Sequence, residues 1–266
     1  MIDAVDLHRH ALVWDAHRDV DYEAPLKERF LQGWMVGVDM HLSLLKRGGV
    51  DVQVFAICVP GVPGLPPTAQ ALKQLDGVMN VLETHSDEVV LATTTRDILK
   101  AKQEGKIAAI LGMEGGEPNL TELGLLRMFY RLGMRLMGLT WNFRNALADG
   151  GYEGREGGGL SSFGVAVVKE MNRLGMMVDI AHLTPNGMRD VLKISERPVI
   201  HSHGATRALC PEHPRTLDDE LLEEIAGSGG VFCVTTPPEA LASRHEEATL
   251  GRYLDHIQHA VRVMGI

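Results

Sequence analysis

An α/β fold built on parallel strands is what the sequence predicts, and three observations predict it. Short apolar runs rich in Val, Ile and Leu recur along the chain, nearly continuous in hydrophobicity, as strands covered on both faces are. Stretches with apolar residues at i, i+3 and i+4 stand between them. The joints are short and the alternation repeats at least six times, the pattern of βαβ units. A doubly wound sheet and a (β/α)8 barrel both satisfy it.

The strand candidates are ALVWDA (11–16), VDVQVFAICV (50–59), IAAILGME (107–114) and RLMGLTW (135–141), then MMVDIAH (176–182), RPVIHSH (197–203) and GVFCVTT (230–236). Helical spacing marks LTELGLLRMFYRLG (120–133) and SFGVAVVKEMNRLG (162–175), each ending in a Gly suited to a helix C-cap. TPNGMRDVLKIS (184–195) opens on a capping Thr and stops before Pro198. TLDDELLEEIAGSGG (216–230) carries the acidic first turn that complements a helix N-terminus. The Gly-rich DGGYEGREGGG (149–159) lacks a Lys-Ser/Thr pair and a strand directly before it, so it reads as a flexible loop rather than a phosphate cradle.

A chain of 266 residues, 45% of them hydrophobic, can bury a large core, and no linker or repeat divides it; residues 1–266 read as a single domain. The net charge of −9 argues against nucleic acid and anionic membranes as partners. No stretch reaches the roughly 20 apolar residues of a membrane helix. The first residues lack a signal-peptide apolar region, so the chain reads as cytoplasmic. Cys58, Cys210 and Cys233 are odd in number and widely spaced, which fits reduced thiols and leaves any metal to His and carboxylates. No GxGxxG follows the first run and no GxxxxGK[ST] occurs anywhere.

The C-terminal ends of the runs carry the chemistry. The first ends in His17 and Asp19, the third in Glu114, the fifth in His182, the sixth in His201 and His203. In a parallel β/α barrel those ends converge on one face. Three imidazoles and two carboxylates suit Zn²⁺, with Mn²⁺ or Co²⁺ as substitutes. Five ligands exceed what one catalytic zinc uses. Two ions roughly 3.5–4 Å apart, sharing a carboxylate and a hydroxide, are the economical arrangement, and their chemistry is hydrolysis.

Five blocks in order, DAHRD, GMEGG, LGMRLMGLTWNFRNALADG, GLSSFGVAVVKEMNRLGMMVDIAH and PVIHSH…HPRTLDDE, resemble the membrane dipeptidase (renal dipeptidase, M19 metallopeptidase) family from about residue 5 onward. The resemblance implies a (β/α)8 TIM-type barrel and hydrolysis of dipeptides, many members tolerating a D-residue at the C-terminal position. It assigns His17 and Asp19 to one zinc, His182 and His203 to the other, and Glu114, as the catalytic bridging carboxylate, to both. It gives Arg215 to the substrate's carboxylate, a task suited to a planar guanidinium. His201, two residues before His203, reads as a supporting residue that hydrogen-bonds a ligand. Asn142 and Asp149 match the family's N…AD and read as loop-shaping residues. The remaining histidines, His256 among them, read mostly as solvated. The family's frequent dimerisation hints at a homodimer.

The sequence departs from the pattern in four places. Trp141 stands where the family has a substrate-contacting His, and Glu117 where a His often follows EGG. Thr235–Thr236–Pro237–Pro238 replaces an expected aromatic in the pocket wall. The family continues into an eighth strand with a DFDG motif whose first Asp contacts the water and the substrate amine. This chain stops at Ile266, before that point, so the expectation is a truncated stretch of a longer protein with the eighth strand missing. Two other functions fit the same residues: a binuclear hydrolase of another small amide or lactam, and a non-catalytic metal-binding barrel.

Overall fold

A computed structural model describes residues 3–19, 42–59, 66–119 and 122–265. Its strands are β1 (Trp14–Asp19), β2 (Val52–Cys58), β3 (Val89–Leu91), β4 (Ile107–Glu114) and β5 (Met134–Gly138), then β6 (Met177–Asp179), β7 (Ile200–Thr206), β8 (Thr216–Leu217) and β9 (Val231–Val234). The sheet runs β1-β2-β4-β5-β6-β7-β8, with β3 on β4 and β9 on β7. Among the described residues, parallel strands alternate with helices, an α/β fold of the TIM-barrel type. The chain divides into two compact units, Met1–Met113 with Arg131–Arg135, and Glu114–Tyr130 with Leu136–Ile266.

In the first unit β1 pairs parallel with β2, Trp14 opposite Val52 and Asp19 opposite Ala56. The register shifts between Asp15 and Arg18, an irregularity that spans His17 and re-aims side chains as bulges do. Every residue of β2 is buried. Val52 and Val54 pack with Ala92, Ile98, Ala101, Ala108 and Ile110; burying each Val or Ile contributes about 1.5–3 kcal/mol before entropy is subtracted. The helix Thr95–Gln103 starts from a capping box in which Thr94 Oγ1 accepts from Asp97 N and the Asp97 carboxylate accepts from Thr94 N. Asp51 anchors the entry to β1, accepting from Val13 N at 2.8 Å and from Lys102 Nζ at 2.6 Å.

In the second unit β5, β6, β7 and β9 are parallel neighbours, with Gly138 opposite Asp179, Asp179 opposite Ile200, and His201 opposite Phe232. The register between β7 and β9 shifts between His201 and Gly204. Three covering helices start on side-chain caps. Ser161 caps Ser162–Leu174, which ends on left-handed Gly175; Thr184 caps Pro185–Ile194; Asp218 caps Asp219–Gly227. Their inner faces bury Val167, Val168 and Met171, then Val191, then Leu221, Leu222 and Ile225. Together with the closing helix Leu250–Met264, they hold the strand ends in place.

Three expectations need correction. His256 is not solvated: it is fully buried, its Nδ1 accepts from Thr206 N at 3.0 Å and its Nε2 donates to Leu241 O at 2.9 Å. The Gly-rich stretch 149–159 is a tied loop. Asp149 accepts from the Arg144 guanidinium and from Gly158 N, while Thr184 Oγ1 and Asn186 Nδ2 donate to Gly158 O and Gly157 O. The run at 11–16 forms its strand three residues later, because Arg18 and Asp19 pair with β2. Ile266 lies outside the described residues. No helix among the described residues is long and apolar enough to cross a membrane.

Candidate metal centre

Glu114 ends β4, an apolar strand buried along its whole length. A carboxylate delivered there must find polar partners, because burying it alone is costly. It finds two imidazoles: its Oε1 lies 2.6 Å from His182 Nε2 and 3.3 Å from His203 Nε2. The two Nε2 atoms are themselves 2.8 Å apart, with ring centroids at 4.8 Å.

His182 reaches this point through a backbone that few side chains adopt. Among the described residues it alone, apart from glycines, has a positive φ, at 67°, in the left-handed region where His, Asn and Asp are enriched. The turn follows directly on β6 and is pinned from outside, since Gly151 N donates to His182 O at 2.6 Å. His203 lies in β7 next to the register shift, and the Arg215 guanidinium donates to its carbonyl at 3.3 Å.

The other ring nitrogens are occupied. His182 Nδ1 lies 2.9 Å from Asn142 Oδ1, an acceptor, so Nδ1 carries the proton and Nε2 a lone pair. His203 Nδ1 lies 2.7 Å from Ser202 Oγ, whose own proton goes to Asp179 Oδ2. Asp179 also accepts from Ala181 N at 3.0 Å and Ser202 N at 3.1 Å. His203 therefore also presents a bare Nε2. Two lone pairs and a carboxylate oxygen face one another, an arrangement that repels unless a cation lies among them. The residues present thus fit a divalent metal, with imidazole and carboxylate donors of the kind zinc takes.

His17 lies on β1, in the first unit. Asp19 Oδ1 is 3.5 Å from His17 Nε2, on the same side of β1. Trp141 places its ring centroid 6.4 Å from that of His182. His201 is not drawn into the cluster. It is buried against Phe232, and neither ring nitrogen has a partner among the described residues. Burial first, and then the charge of Arg215, hold it near 3, so it is a neutral imidazole. Glu117 has its carboxyl raised, chiefly by burial, and accepts from Asn145 Nδ2 at 3.1 Å.

Two positions that support the candidate ligand His203 were missed in the sequence. Asp179 and Ser202 stand in full view inside DIAH and HSH, and the available signal was a polar residue within an apolar run. Asn142, read as loop-shaping, turns out to hold a metal-ligand candidate directly.

The family profile described as "Membrane dipeptidase (Peptidase family M19)" matches residues 1–266. The "Dipeptidase verJ" of Clonostachys rogersoniana is 38% identical over 192 residues, which cover 71% of this chain and 48% of that protein; the match thus spans about half the length of that relative. Among solved structures, an amidohydrolase from Pseudomonas aeruginosa superposes with a TM-score of 0.83 at 25% identity, covering 99% of this chain and 74% of that one. A metallopeptidase titled "dipeptidase AC", of family M19, superposes with a TM-score of 0.76 at 25% identity, covering 84% and 71%.

Proposed function

The chain belongs to the membrane dipeptidase family, peptidase family M19, and on that premise we propose that it is a zinc-dependent dipeptidase. The observation that carries the reading is the meeting of Glu114 Oε1, His182 Nε2 and His203 Nε2, each ring with its other nitrogen already satisfied. Such a set is built to receive a cation.

In this reading His17 and Asp19 would hold one zinc, His182 and His203 the other, and Glu114 would serve both. Bound divalent ions would supply a water of lowered pKa and polarise the scissile carbonyl. The protein's own residues do the rest. Glu114, at the buried end of β4, keeps negative charge where both sets of donors need it. Arg215 binds the dipeptide's terminal carboxylate with two parallel N–H bonds, which fixes the peptide bond's distance from the cluster. The Trp141 indole packs against a substrate side chain. Residues 1–266 act as a single hydrolase domain, and Cys58, Cys210 and Cys233, none of them in a disulfide, suit a cytoplasmic setting. The homodimer hinted at by the family resemblance is checked by light scattering.

A second reading keeps the metals and changes the substrate to another small amide or lactam. The observation favouring it is the indole of Trp141 beside His182, where the resemblance implies a proton-carrying His. The experiment is metal analysis joined to a substrate panel of L,L- and L,D-dipeptides and non-peptide amides. The dipeptidase reading expects about two zinc per chain and amino-acid release that Glu114→Gln abolishes. A protein binding no transition metal, or turning over only non-peptides, overturns it.

A further inference from the structure

Outside the ligands themselves, the second unit holds a chain of polar groups that the mechanism above does not use. Asp179 ends β6 and is 4% exposed; Ser202, on the adjacent strand β7, is 3% exposed. Two buried polar residues in a barrel wall are costly unless their hydrogen bonds have a task. Asp179 takes three donors, from Ala181 N, Ser202 N and Ser202 Oγ. Having spent its only proton on the carboxylate, the Ser202 hydroxyl can meet His203 Nδ1 only as an acceptor. On the other side of the cluster, the Asn142 amide oxygen imposes the same condition on His182 Nδ1.

We propose that Asp179, acting through Ser202, and Asn142, acting directly, are positioning residues that lock His203 and His182 as Nδ1-protonated tautomers and so present both Nε2 lone pairs to the metal. The inference rests on the metal-binding reading of this cluster and deepens it. The two locks differ in kind. One is a carboxylate–hydroxyl relay that also raises the basicity of its imidazole; the other is a neutral amide that only orients. Partners of this sort govern ring orientation and ligand strength in metal sites, and their loss costs about 10–100-fold in affinity. Without Ser202, His203 is free to turn or to place its proton on Nε2, which closes the lone pair to a metal.

Two measurements test this on the whole chain. The first is a long-range ¹H–¹⁵N correlation spectrum of the metal-free protein. Protonated Nδ1 on both His182 and His203 is expected, and an unprotonated Nδ1 on His203 overturns the relay. The second is zinc affinity by competition with a chromophoric chelator. Ser202→Ala and Asn142→Ala should each raise the zinc dissociation constant about 10–100-fold, with Ser202→Ala giving a mixed tautomer signal at His203. Ser202→Thr keeps the hydroxyl and should restore both affinity and tautomer, which a merely space-filling role would not require. Wild-type affinity in Ser202→Ala overturns the proposal even if Asp179→Asn fails to fold. A wild-type protein that binds no zinc instead defeats the dipeptidase reading, and the tautomer spectrum still decides the relay.

Discussion

His182 Nε2 and His203 Nε2 stand 2.8 Å apart with Glu114 Oε1 against both, so the cluster is at odds with itself until a positive charge enters. Metal should therefore stabilise the folded chain. Ligand present at about a hundred times its dissociation constant adds about 2.7 kcal/mol. Thermal unfolding with and without a strong chelator is the check. A lower midpoint is expected on chelation and recovery on adding zinc, and both responses should vanish in His203→Ala.

Arg215 gives a kinetic expectation. Its guanidinium donates to the carbonyl of His203, itself a candidate metal ligand. Charge-assisted hydrogen bonds are worth about 1.5–3 kcal/mol, so Arg215→Met should lower kcat/KM for free dipeptides by roughly 10–100-fold. Dipeptides amidated at the C-terminus lack the carboxylate and should lose far less. Equal losses on both would remove Arg215 from carboxylate recognition.

Gly150 is where the loops leave no room. A Cβ there would sit 2.5 Å from the carbonyl carbon and oxygen of Asn142 and 2.6 Å from Phe143 N. Gly150→Ala must push the segment that carries the Asn142 side chain. A stability loss of about 1–3 kcal/mol is expected for such overpacking, together with weaker zinc binding, because Asn142 holds His182. Chemical denaturation and chelator competition measure the two effects, and an unchanged zinc affinity would show the loop yielding without moving Asn142.

Glu170 offers a pH signature away from the centre. Its carboxyl falls from an ordinary 4.5 to about 2; the Arg173 guanidinium is the chief cause, burial opposes it, and Arg127 adds to it. A depressed carboxylate stabilises the fold fully above its unfolded value and loses that contribution as pH falls from about 4.5 through 2. Glu170→Gln should therefore be less stable than wild type at neutral pH, with the gap closing across that window. A gap of constant size would refute the ion-pair account.

Periodicity exposed the strands and caps well because both are local. IAAILGME is β4 to the residue, and Thr184 caps the helix it precedes. Strand limits were harder to read where polar residues pair within the sheet. Arg18 and Asp19 looked like a strand's exit, yet they face Phe55 and Ala56. MMVDIAH narrows to Met177–Asp179, and the backbone turns left-handed at His182. The ligand candidates were legible as residue types at strand ends. Their protonation partners were not, since Asn142 reaches His182 across 40 residues and Asp179 reaches Ser202 across 23. His256, with a partner 50 residues away, was misread for the same reason. His201 shared the residue type and the strand of a ligand, and only burial without any partner separates it from one.

The left-handed backbone of His182 narrows the alphabet open to that position. Chain direction asks for Gly, Asn, Asp or His there, and the cluster asks for an imidazole; His alone meets both demands. An alanine at 182 would therefore confound two losses, a missing donor and a strained turn. Asparagine keeps the turn while deleting the donor, which makes His182→Asn the clean way to disarm the centre. The same overlap leaves drift at this codon few neutral exits, since any replacement sacrifices either the path of the chain or its hold on the ion.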